Sequence, residues 1–189
     1  MKLLEKRILA SLENGKRPLL DDMLSRRIEP EVICSVADDL AESFSGKGVT
    51  VVLTCEPAGI AIAYATAERL GCTALFARKR EEKDAFSAVV NSKNNTTLYL
   101  PKRFLTKDDH VLIVDDCIGM GGIASALIEL VRQSGAALVG VGVALERAYL
   151  GAGNRLRERG IRLRSVVSLA SDDGALGIVI EKQGKRRTV

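Results

Sequence analysis

Short apolar runs alternate with amphipathic stretches along most of the chain. In the amphipathic stretches, apolar residues recur every three to four positions, which is the spacing of one helix face. These stretches are residues 3–12, 30–44, 60–70 and 124–134. Between them lie runs rich in β-branched and apolar residues, which have the length of buried strands. These runs are residues 49–54, 73–77, 111–114, 137–145 and 161–169. Strands that alternate with helices predict an α/β fold with a mainly parallel sheet flanked by helices.

Two further regions do not follow this alternation. Residues 85–90 and 96–100 are short β-like runs separated by the polar residues 91–95, which predicts a hairpin with a polar tip. Near the end of the chain, a turn signal leads into a last strand at 175–180, and the basic residues 182–187 are expected to form a solvated tail. We see no repeat and no linker, so residues 1–189 are predicted to form a single domain.

Candidate chemistry is concentrated in residues 111–122, which read VLIVDDCIGMGG. The apolar run leads into Asp115 and Asp116, and a glycine-rich turn precedes the next helix. Such a turn exposes backbone N–H groups at a helix start, where a phosphate binds. Carboxylates can accept hydrogen bonds from vicinal hydroxyls. The stretch therefore predicts a sugar-phosphate site, although an acidic helix cap beside an ordinary glycine turn is the alternative.

Neither of two familiar phosphate motifs fits this stretch. No Gly-Lys-Ser/Thr closes it, so it is not a P-loop, and its acids precede the glycines, unlike those of the dinucleotide fingerprint. His110, the single histidine, lies at the entrance of the strand, away from the end where ligands bind to a parallel sheet. A Ser–His–Asp or Cys–His triad is therefore not expected.

Composition is ordinary for a globular protein, with 47% hydrophobic and 28% charged residues. Apolar runs are far shorter than the roughly 20 residues of a membrane span, and the N-terminus lacks the apolar core of a signal peptide. We therefore expect a cytoplasmic protein without a membrane partner. The net charge of +4 suits anionic ligands but does not require nucleic acid. Four cysteines without metal-type spacing are expected to be free thiols: Cys34, Cys55, Cys72 and Cys117.

The stretch VLIVDDCIGMGG resembles the phosphoribosyl pyrophosphate (PRPP) motif of the type I phosphoribosyltransferases, which has an apolar strand, two acids and a small-residue loop. Other segments agree with that family in order and spacing. They are residues 27–30, 56–60, 76–79, 109–116 and 143–147. Together they are most similar to the bacterial xanthine phosphoribosyltransferases. The resemblance implies the type I phosphoribosyltransferase fold, with an N-terminal helix and small hood at 1–28 and a flexible loop region at 79–106.

This resemblance implies a function. A purine phosphoribosyltransferase moves ribose 5-phosphate from PRPP to a purine base, here with xanthine favoured, and releases pyrophosphate in purine salvage. The resemblance also implies Mg²⁺ as the cofactor and a homodimer. A PRPP-binding regulator on the same fold is an alternative, although no room for an added winged-helix domain precedes Leu19. A different base, such as adenine, hypoxanthine or orotate, is another alternative.

The resemblance also implies roles for individual residues. Asp115 and Asp116 would bind the ribose hydroxyls and meet Mg²⁺ only indirectly, through PRPP. The 5-phosphate would be bound by Gly119, Met120, Gly121, Gly122 and Ile123. Pyrophosphate would be bound by Glu56, Pro57, Ala58, Gly59, Arg78, Lys79, Lys83 and Lys93, although the charge run 78–84 also fits a solvated loop. The base would contact Leu24, Ser25, Cys117, Ile118 and Arg147.

The chain departs from the family pattern at several of these positions. Met120 and Ile123 replace small or polar residues, so the hydroxyl of the usual threonine at 123 is missing. No asparagine that would help to read xanthine lies near Leu24, and Arg147 stands where the xanthine enzymes carry a lysine. The pyrophosphate loop of this family often contains a cis peptide. Because proline lowers the cost of that geometry, we predict that Glu56–Pro57 is cis.

Overall fold

A seven-stranded sheet forms the centre of the fold, in the order β2-β1-β5-β6-β7-β8-β9. The computed structural model describes residues 3–13, 24, 26–90, 96–172, 175–182 and 185–188, and it describes those within 11–13 and 171–188 by their backbone alone. The sheet strands are β1 Val51–Cys55, β2 Thr73–Ala77, β5 His110–Ile118, β6 Ala137–Arg147, β7 Leu163–Asp172, β8 Ala175–Lys182 and β9 Lys185–Thr188. The strands from β2 to β7 in this order pair in parallel, and β8 and β9 add antiparallel. The predicted mainly parallel sheet is confirmed.

Helices cover both faces of this sheet. They are α1 Leu3–Glu13, α2 Pro30–Phe44, α3 Ile60–Leu70, α4 Gly122–Ser134 and α5 Ala152–Glu158. Buried residues of α1, α2 and α3 form one core cluster, and those of α4 and α5 belong to a second. In β5, Leu112 and Val114 join the first cluster, and Val111 and Ile113 join the second. The central strand is therefore buried on both faces, as its unbroken apolar run predicts.

The predicted hairpin is confirmed as β3 Ala85–Val89 and β4 Thr97–Pro101, which pair antiparallel outside the main sheet. It is attached to the rest of the fold near its middle, where Ser87 of β3 pairs with Tyr99 of β4. The backbones of Arg78 and Tyr99 exchange hydrogen bonds of 2.9 and 2.8 Å. On the other strand, the Gln133 side chain of α4 bonds both main-chain groups of Ser87, at 2.9 and 3.3 Å. The predicted tip, 91–95, lies outside the described residues.

The bounds of several strands differ from the sequence-based expectation. β5 continues beyond the acids to Ile118, because pairing with β6 extends through Cys117 and Ile118. The expected basic tail is wrong: β8 extends to Lys182, and β9 pairs with it antiparallel. Local composition favoured a solvated end, but charged residues are also common on edge strands, where they discourage further pairing.

None of the described helices combines the length and the apolar character that a bilayer crossing requires. The parallel strands instead place their carboxyl ends at one edge of the sheet, and the loops that follow β1, β2, β5 and β6 emerge there. This is the edge where ligands bind in open α/β sheets.

Candidate active site

Two loops meet at this edge because β1 and β5 are neighbouring parallel strands. The β1 loop comprises residues 56–59, between β1 and α3, and the β5 loop comprises residues 119–121, between β5 and α4. Their approach is close: a Cβ placed on Gly59 would lie 3.1 Å from Asp115 Oδ1. The two loops are therefore adjacent, with Asp115 of β5 between them.

The acid pair, Asp115 and Asp116, lies near the end of β5. Asp115 is only 8% exposed, whereas Asp116 is half-buried. The Asp116 main-chain N–H donates to Asp115 Oδ1 at 3.0 Å. Burial, followed by the nearby charge of Asp116, raises the pKa of Asp115 well above its ordinary value, and the charge of Lys79 opposes this increase. Asp115 therefore holds its proton more tightly than an ordinary aspartate.

The β5 loop forms the amino-terminal approach to α4. Gly121 is the N-cap residue, and its φ of 85° lies in the left-handed region that favours glycine. No side chain in the described part of the protein caps this helix start. First-turn N–H groups of a helix without a side-chain cap can bind an anion, as the sequence predicts. The side chain of Met120 is 79% exposed, so its bulk does not fill the loop.

A cavity of about 440 Å³ lies against the β5 loop. That volume is within the range of small-molecule pockets. The predicted site residues that line it are Asp115, Cys117, Ile118, Gly119, Met120, Gly121, Gly122 and Ile123. The remaining lining residues are Val90, Ile113, Ala124, Val141 and Val143. The structure thus brings one acid, the β5 loop and two of the predicted base contacts around one space.

The β1 loop is joined to the end of β2. Glu56–Pro57 is cis, which confirms the prediction. Glu56 Oε1 accepts a hydrogen bond from the Lys79 main-chain N–H at 3.1 Å, and Glu56 Oε2 lies 3.8 Å from Arg78 Nε. The Arg78 guanidinium lies over the Phe76 ring, 5.2 Å from its centroid. The predicted pyrophosphate residues of the β1 loop and those that follow β2 are therefore neighbours. The β1 loop itself does not line the cavity.

Two cysteines adjoin the acids, and neither has an activated thiol. Burial, followed by the charge of Asp115, raises the pKa of Cys55 to about 12. Burial also raises the pKa of Cys117 to about 11, although the charge of Arg147 opposes the increase. The predicted free thiols are confirmed. A nucleophilic cysteine requires a depressed pKa, so these positions favour chemistry without a covalent cysteine intermediate.

The remaining predicted site residues do not all lie at the cavity. Leu24 is fully buried in the core cluster of α1 and α2 and does not line the cavity. Arg147 is exposed at the end of β6, and its Cδ lies 3.9 Å from a Cβ placed on Gly119. Lys83 is exposed within the charge run. Ser25 and Lys93 lie outside the described residues.

Metal binding by protein groups alone is not supported. Within the described ranges, no cluster of three or more His, Cys, Asp or Glu residues could hold an ion. Two adjacent carboxylates do fit Mg²⁺, which is commonly held by one or two carboxylates together with water and substrate phosphates. The donor set therefore suits a metal that arrives with a phosphate ligand, as the resemblance implies.

Two residues near the site were not predicted. Thr54 Oγ1 is buried beside Gly59 and has no hydrogen-bond partner among the described residues. Arg155 of α5 donates from Nη2 to the Met120 carbonyl in the β5 loop at 3.0 Å. The sequence signals only a basic helix or turn at 150–159. A contact between side chain and backbone across 35 positions leaves no local pattern.

Known proteins are similar to this chain in both sequence and fold. The family model described as "Phosphoribosyl transferase domain" matches residues 28–158. A xanthine phosphoribosyltransferase of Bacillus cytotoxicus is 34% identical over 95% of this chain and 96% of its own length. One from Heliobacterium modesticaldum is 36% identical over 89% and 94%. In the crystal structure of adenine phosphoribosyltransferase from Rhodothermus marinus, the match covers 75% of this chain and 81% of that chain, with a TM-score of 0.68 and 26% identity.

Proposed function

Since this chain belongs to the phosphoribosyl transferase family, we propose that it transfers ribose 5-phosphate from PRPP to a purine base, preferably xanthine, and releases pyrophosphate. The observation that carries this proposal is the adjacency of the β1 and β5 loops around Asp115. PRPP carries a phosphate at one end of its ribose and pyrophosphate at the other, so its site needs two anion-binding loops with acids between them. The β5 loop, Asp115 and the β1 loop follow one another in that order. The names of the curated relatives support the purine and the choice of xanthine.

The proposed chemistry needs charge stabilisation more than a nucleophile. As the bond to pyrophosphate breaks, positive charge develops on the ribose and negative charge on the leaving group. Arg78 and Lys79, at the end of β2, are exposed cations suited to the leaving group, joined by Lys83 from the same charge run. Prearranged charges of this kind supply much of the rate enhancement of enzymes. The raised thiol pKa values of Cys55 and Cys117 agree with a mechanism without covalent catalysis.

The acid pair is proposed to bind the ribose. Its carboxylates accept hydrogen bonds from the two ribose hydroxyls, and the more exposed Asp116 meets the ligand first. Negative charge at this position also favours the ribosyl cation as it develops. The β5 loop binds the 5-phosphate through main-chain N–H groups, helped by the dipole of α4. This binding requires no hydroxyl at position 123.

Mg²⁺ is the proposed cofactor. The acids of β5 would meet it through PRPP, and when bound it neutralises phosphate charge. The chain's own cations share that task at the β1 loop, where Glu56 already holds the Lys79 main chain and lies near Arg78.

Base selection is proposed to depend on the end of β6. Cys117 and Ile118 line the cavity beside the β5 loop, and the exposed Arg147 lies next to that loop. A guanidinium offers only donors, so it pairs with purine carbonyls and not with the amino group of adenine. This chemistry favours oxopurines such as xanthine. We also propose that the enzyme acts in purine salvage in the cytoplasm, as a homodimer.

A screen of bases tests the proposal. The purified protein is incubated with PRPP, Mg²⁺ and xanthine, hypoxanthine, adenine or orotate, and both pyrophosphate and the nucleotide are quantified. We expect pyrophosphate release that depends on the base and is fastest with xanthine. PRPP binding without turnover on any base would favour the regulator, and fastest turnover with adenine or orotate would contradict the proposed specificity.

A further inference from the structure

The β5 loop packs against the segment that follows β6. Gly119 and Gly121 gain conformational freedom in the unfolded chain, so fixing them costs more than fixing other residues. The segment that follows β6 packs against them: a Cβ on Gly121 would lie 2.9 Å from Ala152 Cβ, and one on Gly119 would lie 3.1 Å from Leu150 Cδ1. The loop is therefore held against the start of α5.

Arg155 connects this supporting segment to the loop. Its Nη2 donates to the Met120 carbonyl at 3.0 Å, and its Nη1 makes a longer bond of 3.5 Å to the Leu150 carbonyl. The C=O and N–H of a trans peptide unit point in opposite directions. A bond that fixes the direction of the Met120 carbonyl therefore also fixes the direction of the Gly121 N–H, one of the loop's anion donors.

The helix that carries Arg155, α5, is itself anchored to the sheet. In the same helix, Arg157 donates to both carboxylate oxygens of Glu146 at 2.8 and 2.7 Å, and Ser165 Oγ donates to Oε2 at 2.6 Å. Glu146 is 1% exposed, so these bonds are made in a largely dry environment. Two bonds with fixed geometry between the arginine and the carboxylate hold α5 against β6. Leu156, buried in the second core cluster, adds an apolar contact.

We infer that Arg155 is a positioning residue that presets the β5 loop for the 5-phosphate of the ligand. The inference rests on the proposed function. It explains how a loop with Ile123 in place of the usual threonine can remain organised without a side-chain hydroxyl. The arginine acts through the Met120 carbonyl, and its positive charge near the loop favours an anionic ligand as well.

The test compares Arg155→Met with Arg155→Lys and with Arg159→Met, which removes an exposed arginine one helical turn further on. Calorimetry measures the affinities for ribose 5-phosphate and, separately, for pyrophosphate with Mg²⁺. We expect Arg155→Met to weaken ribose 5-phosphate binding roughly tenfold, as expected for the loss of one charge-assisted bond, with pyrophosphate binding unchanged. Arg155→Lys should recover most of the affinity, because lysine restores one donor, and Arg159→Met should match the wild type.

Unchanged ribose 5-phosphate binding by Arg155→Met would overturn the inference. So would an equal loss for both ligands, or an equal loss in Arg159→Met, because each would indicate a general structural effect. Hydrogen exchange in the free protein gives a readout that does not depend on PRPP. The amides at the start of α4, including Ser125, which bonds the Gly121 carbonyl at 2.9 Å, should exchange faster only in Arg155→Met. If the wild type binds neither ligand, the proposed function fails, and this exchange result alone decides the role of Arg155.

Discussion

Gly59 and Thr54 lie so close together that no side chain fits between them. A Cβ on Gly59 would come within 3.1 Å of Asp115 Oδ1 and within 1.9 Å of Thr54 Oγ1. The φ of Gly59 is −78°, which any L residue can adopt. Space, and not backbone conformation, therefore requires a glycine at this position, because the Thr54 hydroxyl occupies the place that a Cβ would take.

Gly59→Ala is expected to destabilise the protein by about 1–3 kcal/mol, because its methyl group overlaps the Thr54 hydroxyl. Chemical denaturation measures the change in the free energy of unfolding. Thr54→Ala removes the overlapping oxygen, which has no hydrogen bond to lose within the described structure. The double variant should therefore recover most of the stability. An unfolding free energy of Gly59→Ala equal to that of the wild type would show that Gly59 is packed less tightly against Thr54 than the structure indicates.

Replacing the acid pair should abolish PRPP binding and leave the fold intact. The variant carries Asp115→Asn together with Asp116→Asn, which keeps the shapes of the side chains but removes both charges. Calorimetric titration with PRPP and Mg²⁺ measures binding, and circular dichroism checks the fold. Wild-type affinity in this variant would contradict the role proposed for the acids.

Asp115→Asn alone should stabilise the protein at neutral pH, because it removes a buried carboxylate whose ionisation is unfavourable in the folded state. The folded-state pKa of Asp115 is raised, so its ionisation opposes folding once the pH exceeds the unfolded value of about 3.9. Below that pH the group is protonated in both states, and the advantage of asparagine should vanish. Denaturation at pH 7 and at pH 3.5 tests both statements. A variant less stable than the wild type at pH 7 would show that the ionised carboxylate of Asp115 does not oppose folding.

Arg147→Ala should weaken the binding of xanthine by about 1–3 kcal/mol, the usual cost of leaving a buried polar partner without its hydrogen bond. Adenine binding should change little, because a guanidinium has no acceptor for its amino group. Competition binding with both bases measures the difference, and Arg159→Ala serves as the control. Equal use of adenine and xanthine by the wild type would remove the basis of this prediction.

The homodimer is expected to pair through the surface around the β1 loop and α3. The stretch Ile60 to Ala67 is mostly core, but Tyr64 of α3 is 68% exposed. Light scattering at micromolar concentration should give twice the monomer mass, and Tyr64→Glu should shift it towards the monomer. Lys107→Glu, an exposed residue before β5, is the control. A monomer mass for the wild type would refute the dimer.

Local signals explain why much of the fold could be predicted. The bounds of α2, α3 and β2 agree with the prediction to the residue. For the two helices the reason is local, because α2 begins at Pro30 and α3 lies between Gly59 and Gly71. The unbroken apolar run of β5 indicated a strand buried on both faces. Its first acid, Asp115, and the glycines after the strand indicated the cavity-lining part of the site.

Contacts between distant parts of the chain left no such signal. The pairing of β9 depends on backbone groups of β8, while its basic composition is typical of a solvated tail. The bond from Arg155 to Met120 depends on where α5 docks, and the burial of Leu24 depends on core packing. Each of these required the assembled fold.

The pairing of Glu146 with Arg157 constrains how this chain can evolve. A carboxylate that is 1% exposed becomes an uncompensated buried charge if its arginine is lost, which costs about 3–5 kcal/mol. Replacing both residues together by apolar ones costs far less. A single substitution at Glu146 or Arg157 should therefore be selected against. Among descendants of this sequence, we expect the two positions to be kept together or replaced together.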